Sequence, residues 1–218
     1  MSDESLFREV DEEVRQEQFK KLWERYGNAV VVLAFAVVAG VGGWKGWQYW
    51  QVRQAESAAE TYFTADRLAT SGKPDEALAQ FATIDHQGFG QLARLRQANL
   101  LAKQGKGDEA VKLYDAVAAD PSADASLRDV ARIRAGYVLA DTMKPDELLP
   151  RIGDFDKDGN RWRHAAREIF AIAAWRAADY TMAERYVNAI MSDPEAPGPV
   201  RQRAQTLSQL LTPLLAKK

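Results

Sequence analysis

The chain lacks cysteine altogether and has two histidines in 218 residues. Without thiols there is no disulfide, no thiolate zinc site and no cysteine nucleophile, and either the cytosol or the periplasm would suit it. His86 and His164 each fall at a turn or helix start, outside any ligand-spaced cluster. That excludes a histidine triad or zinc site and leaves two ordinary surface histidines as the expectation. No glycine-rich phosphate loop, dinucleotide fingerprint or Gly-x-Ser-x-Gly elbow occurs, so the sequence offers no catalytic residue and implies no cofactor. Glycine and proline are sparse, at 14 and 8 residues. Long stretches of Ala, Leu, Arg, Gln and Glu, strong helix formers, predict an all-α protein. Charge of one sign is not concentrated either. Residues 1–50 hold 8 acids and 6 bases, and the other 168 residues hold 23 of each. Nucleic-acid binding needs a basic stripe, and none is present.

What the chain does have is one uncharged apolar run, Ala29 to Trp44, 16 residues long. As a helix it covers about 24 Å, short of the roughly 30 Å hydrocarbon core. Tyr26, Gly27 and Asn28 extend one end, while Lys45 can snorkel and let Gly46 to Trp50 extend the other. Trp23 and Tyr26 precede the run, and Trp44, Trp47, Tyr49 and Trp50 follow it, as aromatic belts do at the two interfaces. A buried core helix does not need such belts. A cleaved signal peptide does not carry 28 acidic, helix-patterned residues ahead of its apolar run. The expected organisation is a tail over residues 1–25, a transmembrane helix over 26–50 and a repeat domain over 51–218. Arg8, Arg15, Lys20, Lys21 and Arg25 outnumber Lys45, Arg53 and Arg67 across the run. That bias predicts a single-pass inner-membrane protein with a cytoplasmic N-terminus and a periplasmic C-terminal domain. The tail spaces Phe7, Val10, Val14, Phe19, Trp23 and Tyr26 as an amphipathic helix suited to the membrane surface.

The remaining chain repeats. Asp75-Glu76-Ala77, Asp108-Glu109-Ala110, Asp146-Glu147-Leu148 and Met182-Ala183-Glu184 recur with their anchors Ala77, Ala110, Leu148 and Ala183 separated by 33, 38 and 35 residues. A period of this size signals an α-solenoid of helix pairs, here about four. Apolar residues stand four and seven positions after each anchor: Phe81 and Ile84, Tyr114 and Val117, Ile152 and Phe155, Val187 and Ile190. Each set lies on one helical face. A first amphipathic helix precedes each anchor, from near Ala58, Leu92, Leu127 and Ala165, and turns at 71–74, 104–107, 143–145 and 179–180 join the pair. Asp120-Pro121 and Asp193-Pro194 close the second and fourth units. A last helix, Val200 to Leu211, is expected to cap the stack with Ala204, Leu207, Leu210 and Leu211 inward. Pro150 should leave the second helix of the third unit short or kinked.

Asp154 to Asn160 copies the first half of a calcium loop, but position 12 is Ala165 and the bidentate glutamate is absent. The expectation is a solvated loop whose acids are balanced by Arg161, Arg163 and Arg167, with no metal site.

Trp23-Glu24-Arg25-Tyr26-Gly27-Asn28-Ala29, the apolar run and Gly43-Trp44-Lys45-Gly46-Trp47-Gln48-Tyr49-Trp50 resemble the anchor of the YfgM-like family, and the order of features resembles that family along nearly the whole chain. The resemblance implies a tetratricopeptide-like domain behind one anchor, and an ancillary subunit of the SecYEG translocon partnered with a PpiD-like periplasmic chaperone. The alternative from the residues alone is an envelope-assembly, cell-division or regulatory adaptor built on the same repeats. In either case the partner is a protein, and the first helices should supply its contacts. Tyr62, Arg96, Asn99, Arg134 and Tyr137, polar or aromatic residues interrupting apolar stripes, are the candidates.

Overall fold

The computed structural model describes the backbone of residues 3–216 and the side chains of Arg15, Glu17 and residues 19–216. The apolar positions Phe7, Val10 and Val14 of the tail lie outside the described side chains. Among the described residues there are nine α-helices and one 3-10 turn: α1 Asp3–Thr70, α2 Pro74–Ala82, α3 Gln87–Lys103, α4 Gly107–Ala119, α5 Ala125–Leu139, α6 Pro145–Ile152, the turn Gly153–Asp156, α7 Arg163–Arg176, α8 Tyr180–Met191 and α9 Gly198–Leu215. The chain divides into two units, Met1–Gln54 and Ala55–Lys218, with α1 running through the boundary.

In the first unit α1 is the one described helix long and apolar enough to cross a membrane, and only 6% of its most apolar window is buried. Val32, Leu33, Phe35 and Val38 all stand in the open, with Phe35 73% exposed. Burying such surface is worth roughly 25 cal/mol per Å², so this face is costly in water. At its C-terminal flank the Trp47 and Trp50 rings lie 5.1 Å apart, and Arg53 Nε donates to the Tyr49 hydroxyl at 2.9 Å.

The second unit pairs each short helix with its neighbours in sequence. The anchor stripes form its core: Ala77 and Phe81, Ala110, Tyr114 and Val117, Leu148, Ile152 and Phe155, and Ala183, Val187 and Ile190 are all buried. Ile84 is half-buried, because α2 has already ended at Ala82. Twelve positions before each anchor the first helices carry a small residue, Ala65, Ala98, Gly136 and Ala171, and all four are buried. At Gly136 a Cβ would meet Ile169 Cδ1 at 3.1 Å, so the smallest residue stands where Ile169 of α7 packs against α5.

Three of the four junctions share one stop signal. Gly72, Gly105 and Ala178, each five positions before an anchor, take positive φ of 82°, 78° and 59°. The next N–H reaches back to the helix just ended: Lys73 to the Leu68 carbonyl at 3.0 Å, Lys106 to Leu101 at 2.9 Å and Asp179 to Ala174 at 2.9 Å. This is the Schellman closure. The third junction departs from it, since the Thr142 and Met143 N–H groups both return to the Leu139 carbonyl. Its second helix, α6, is only 8 residues long with Pro150 inside, and the 3-10 turn continues the chain. At the far end, Ala204 and Leu211 of α9 are buried and Leu207 is half-buried, but Leu210 is 51% exposed. The inward placement of Leu210 is therefore corrected: one residue from Leu211 it points about 100° away.

Candidate functional site

The five candidate partner residues occupy repeated positions on the first helices. Arg96 and Arg134 stand fourteen residues before their anchors, and Asn99 and Tyr137 eleven before. Tyr62 stands fifteen before, where the later units have Leu95, Ile133 and Glu168. Tyr62 is half-buried, with its ring 5.4 Å from Phe81 and 5.9 Å from Phe89. Arg96 is half-buried and pairs with Asp66 of α1. Asn99 is half-buried, and Arg134 is exposed beside the buried Tyr114, whose pKa burial pushes up and Arg134 pulls back.

Tyr137 joins a polar group built around the buried Glu168. Its hydroxyl donates to Glu168 Oε2 at 2.7 Å, and Arg203 Nη2 of α9 donates to the same oxygen at 2.7 Å. Glu168 is 4% exposed in a slot that is apolar in the neighbouring units. Burial, then the adjoining Glu168 charge, raises the Tyr137 pKa, and the Glu168 hydrogen bond raises that of Arg203. The group bolts α5, α7 and α9 together. Nothing in the local pattern announces it, since the partners lie 31 and 35 residues apart.

A second polar group gathers on Asp193. Its carboxylate takes Arg163 Nε at 3.0 Å and His164 Nε2 at 2.9 Å, with Arg167 Nη1 at 3.8 Å, and its Oδ1 accepts the Glu195 N–H at 2.9 Å. The Arg163 hydrogen bond above all, then the Glu195 amide and His164, hold the Asp193 pKa far below the usual carboxylate range. His164 is 5% exposed, which corrects the expectation of a surface histidine: it faces inward from the first turn of α7 onto this carboxylate. His86 instead caps α3, its Nδ1 accepting the Phe89 N–H at 3.3 Å.

The half calcium loop is internally neutralised. Asp154 pairs with Lys157 at 2.9 Å, and Arg167 takes Asp156 at 2.7 Å and Asp158 at 3.0 Å. Of the three arginines expected to balance it, Arg167 does so, while Arg163 is spent on Asp193 and Glu195 and Arg161 lies by the Trp162 ring. These contacts tie helices to turns. None sets a nucleophile against a base.

A family model described as a tetratricopeptide repeat-like domain matches residues 20–169, which takes in the apolar run as well as the repeats up to α7. No curated protein and no solved structure matches the chain.

Proposed function

This chain belongs to the tetratricopeptide repeat-like domain family, and we propose that it is a membrane-anchored scaffold serving the SecYEG translocon as an ancillary subunit, alongside a PpiD-like chaperone. Repeat domains of this family are characteristically protein-interaction modules rather than enzymes, and protein recognition is the coarse function that membership supports. The finer reading is supported by the resemblance of Trp23 to Ala29 and Gly43 to Trp50 to the YfgM-like anchor. The family match begins at residue 20, before the apolar run, and so covers that run together with the repeats.

Residues 1–25 are then a cytoplasmic tail, 26–50 the span through the bacterial inner membrane and 51–218 a periplasmic helical solenoid. The exposed apolar face of α1 and its flanking tryptophans support the span, and the excess of basic residues before it supports the orientation. Tethering raises the local concentration of the repeats around membrane partners without new contacts. Tyr62, Arg96, Asn99, Arg134 and Tyr137 mark the partner side.

A photo-crosslinking residue at position 134 in intact membranes tests this. Adducts with translocon subunits or a periplasmic chaperone are expected. Adducts confined to division or envelope-assembly proteins would transfer the scaffold to the adaptor reading, and deletion of residues 1–20 would then abolish its function.

A further inference from the structure

A cleft of about 500 Å³ opens where the segment 156–158 meets α7 and α8, and Arg167, Arg185 and Tyr186 complete its lining. None of the five candidate partner residues takes part in it. One side carries a cation held in place. Arg185 lies over the Tyr186 ring, 5.0 Å from its centroid, and that ring stacks on the buried Phe170 at 5.2 Å. Stacking orients the guanidinium plane and leaves its N–H groups free for a ligand. Among the described residues Arg185 has no carboxylate within 4.0 Å and no side-chain hydrogen bond.

The loop contributes the opposite sign. Asp156 and Asp158 share one guanidinium, Arg167, at 2.7 and 3.0 Å, while Lys157 is taken by Asp154. One cation divided between two carboxylates leaves a negative charge over, and Asp158, 98% exposed, carries it to the opening. Arg185 and Asp158 line the same cleft yet do not pair within 4.0 Å, so there is room between them for a ligand to bridge. A phosphate dianion would meet the loop acids, and a simple cation would meet Arg185. A molecule with one charge of each sign satisfies both.

We propose that this cleft binds a small zwitterion, a short peptide with both termini free, its carboxylate on Arg185, its ammonium on Asp158 and its side chains against Tyr186. The volume suits a ligand of that size, with a few charged groups that fix its orientation. A small-molecule site of this kind goes beyond protein recognition by the repeats.

Equilibrium dialysis of radiolabelled alanyl-leucine against the full-length protein in detergent micelles tests this. Saturable binding at one site per chain is expected, and capping the dipeptide as its C-terminal amide or its N-acetyl form should weaken it about tenfold in each case. Arg185→Gln should weaken the free dipeptide about tenfold and no longer distinguish the amide, while still rejecting the N-acetyl form. Asp158→Asn should give the reverse pattern. Arg161→Gln, outside the cleft, leaves every affinity unchanged. No saturable binding, equal binding of free and capped dipeptides, or an Arg185→Gln protein that still prefers the free carboxylate overturns the assignment. Both Arg185 and Asp158 are exposed, and circular dichroism verifies folding of the variants; should Asp158→Asn unfold, Arg185→Gln decides alone.

Discussion

Gln91 and His164, 73 residues apart, hold the same station. Each is buried near the start of a first helix, and each bonds the aspartate of the Asp-Pro turn 29 residues later, Asp120 for one and Asp193 for the other. Arg94 and Arg167 repeat the relationship, 3.6 and 3.8 Å from the same carboxylates, and Ala123 and Ala196 are buried beyond them. The offset continues without a gap from Ala131 to Ala204, which makes α9 the counterpart of α5, a first helix by its position in the repeat. Where α5 presents Ile133 and Gly136 to the next helices, α9 has the exposed Thr206 and Gln209. Polar residues there give α9 a solvated outer face where α5 has an apolar one.

If Gln91 and His164 are equivalent, a glutamine should serve opposite Asp193. His164→Gln is expected to retain nearly all thermal stability, whereas His164→Ala, losing both the bond and buried volume, costs about 1–3 kcal/mol. Thermal unfolding followed by circular dichroism distinguishes them. Equal losses in the two variants would refute the equivalence.

Asp193 also sets a pH dependence. Its pKa is depressed in the folded chain, chiefly by Arg163, so it binds its proton more weakly folded than unfolded. Its contribution is fully present above the unfolded value of about 3.9 and is lost as pH falls below that toward the folded value. The Tm of the native chain should therefore drop as pH is lowered through and below 4, and Asp193→Asn should start lower at neutral pH and drop less. Parallel Tm profiles for the two proteins would remove Asp193 from the account.

The helix boundaries and the buried stripe were legible because they are local. Gly72, Gly105, Pro74 and Pro145 act within one turn of where they stand, and a spacing of four and seven needs no knowledge of the rest of the chain. The buried polar residues were not legible for the converse reason. Glu168 reads as a surface acid until Tyr137 and Arg203 are brought to it, and His164 as a surface histidine until Asp193 arrives. Tyr62 and Tyr137 interrupt their stripes as expected, but the interruption first serves packing on Phe81 and the Glu168 group.

Ala178 is the one residue other than glycine with positive φ among the described residues, and it sits where Gly72 and Gly105 sit in other units. A side chain in that conformation costs about 1–2 kcal/mol, partly offset by the greater freedom glycine has when unfolded. Ala178→Gly should stabilise by about 0.5–1 kcal/mol, and Gly105→Ala should destabilise by about 1 kcal/mol. Urea midpoints at unchanged slope measure both. A destabilised Ala178→Gly would mean that the left-handed turn is not what limits this junction.

The Tyr137, Glu168 and Arg203 group allows its coupling to be measured. Leucine suits the slot of Glu168, as Leu95 shows in the second unit, but Glu168→Leu leaves the Tyr137 hydroxyl without its acceptor and should cost about 1–3 kcal/mol. Tyr137→Phe alone removes one donor and should cost about 0.5–1.5 kcal/mol. In the double variant neither the acid nor the hydroxyl remains, and Arg203, 54% exposed, turns to water. That exposure also means the ion pair itself contributes little, so most of the loss should trace to the hydroxyl. The double variant is therefore expected to cost about 1 kcal/mol less than the sum of the singles. Strict additivity in urea titrations would show that Tyr137 and Glu168 act separately, leaving the Gly136 contact with Ile169 and the Asp141 to Arg176 ion pair to join α5 and α7.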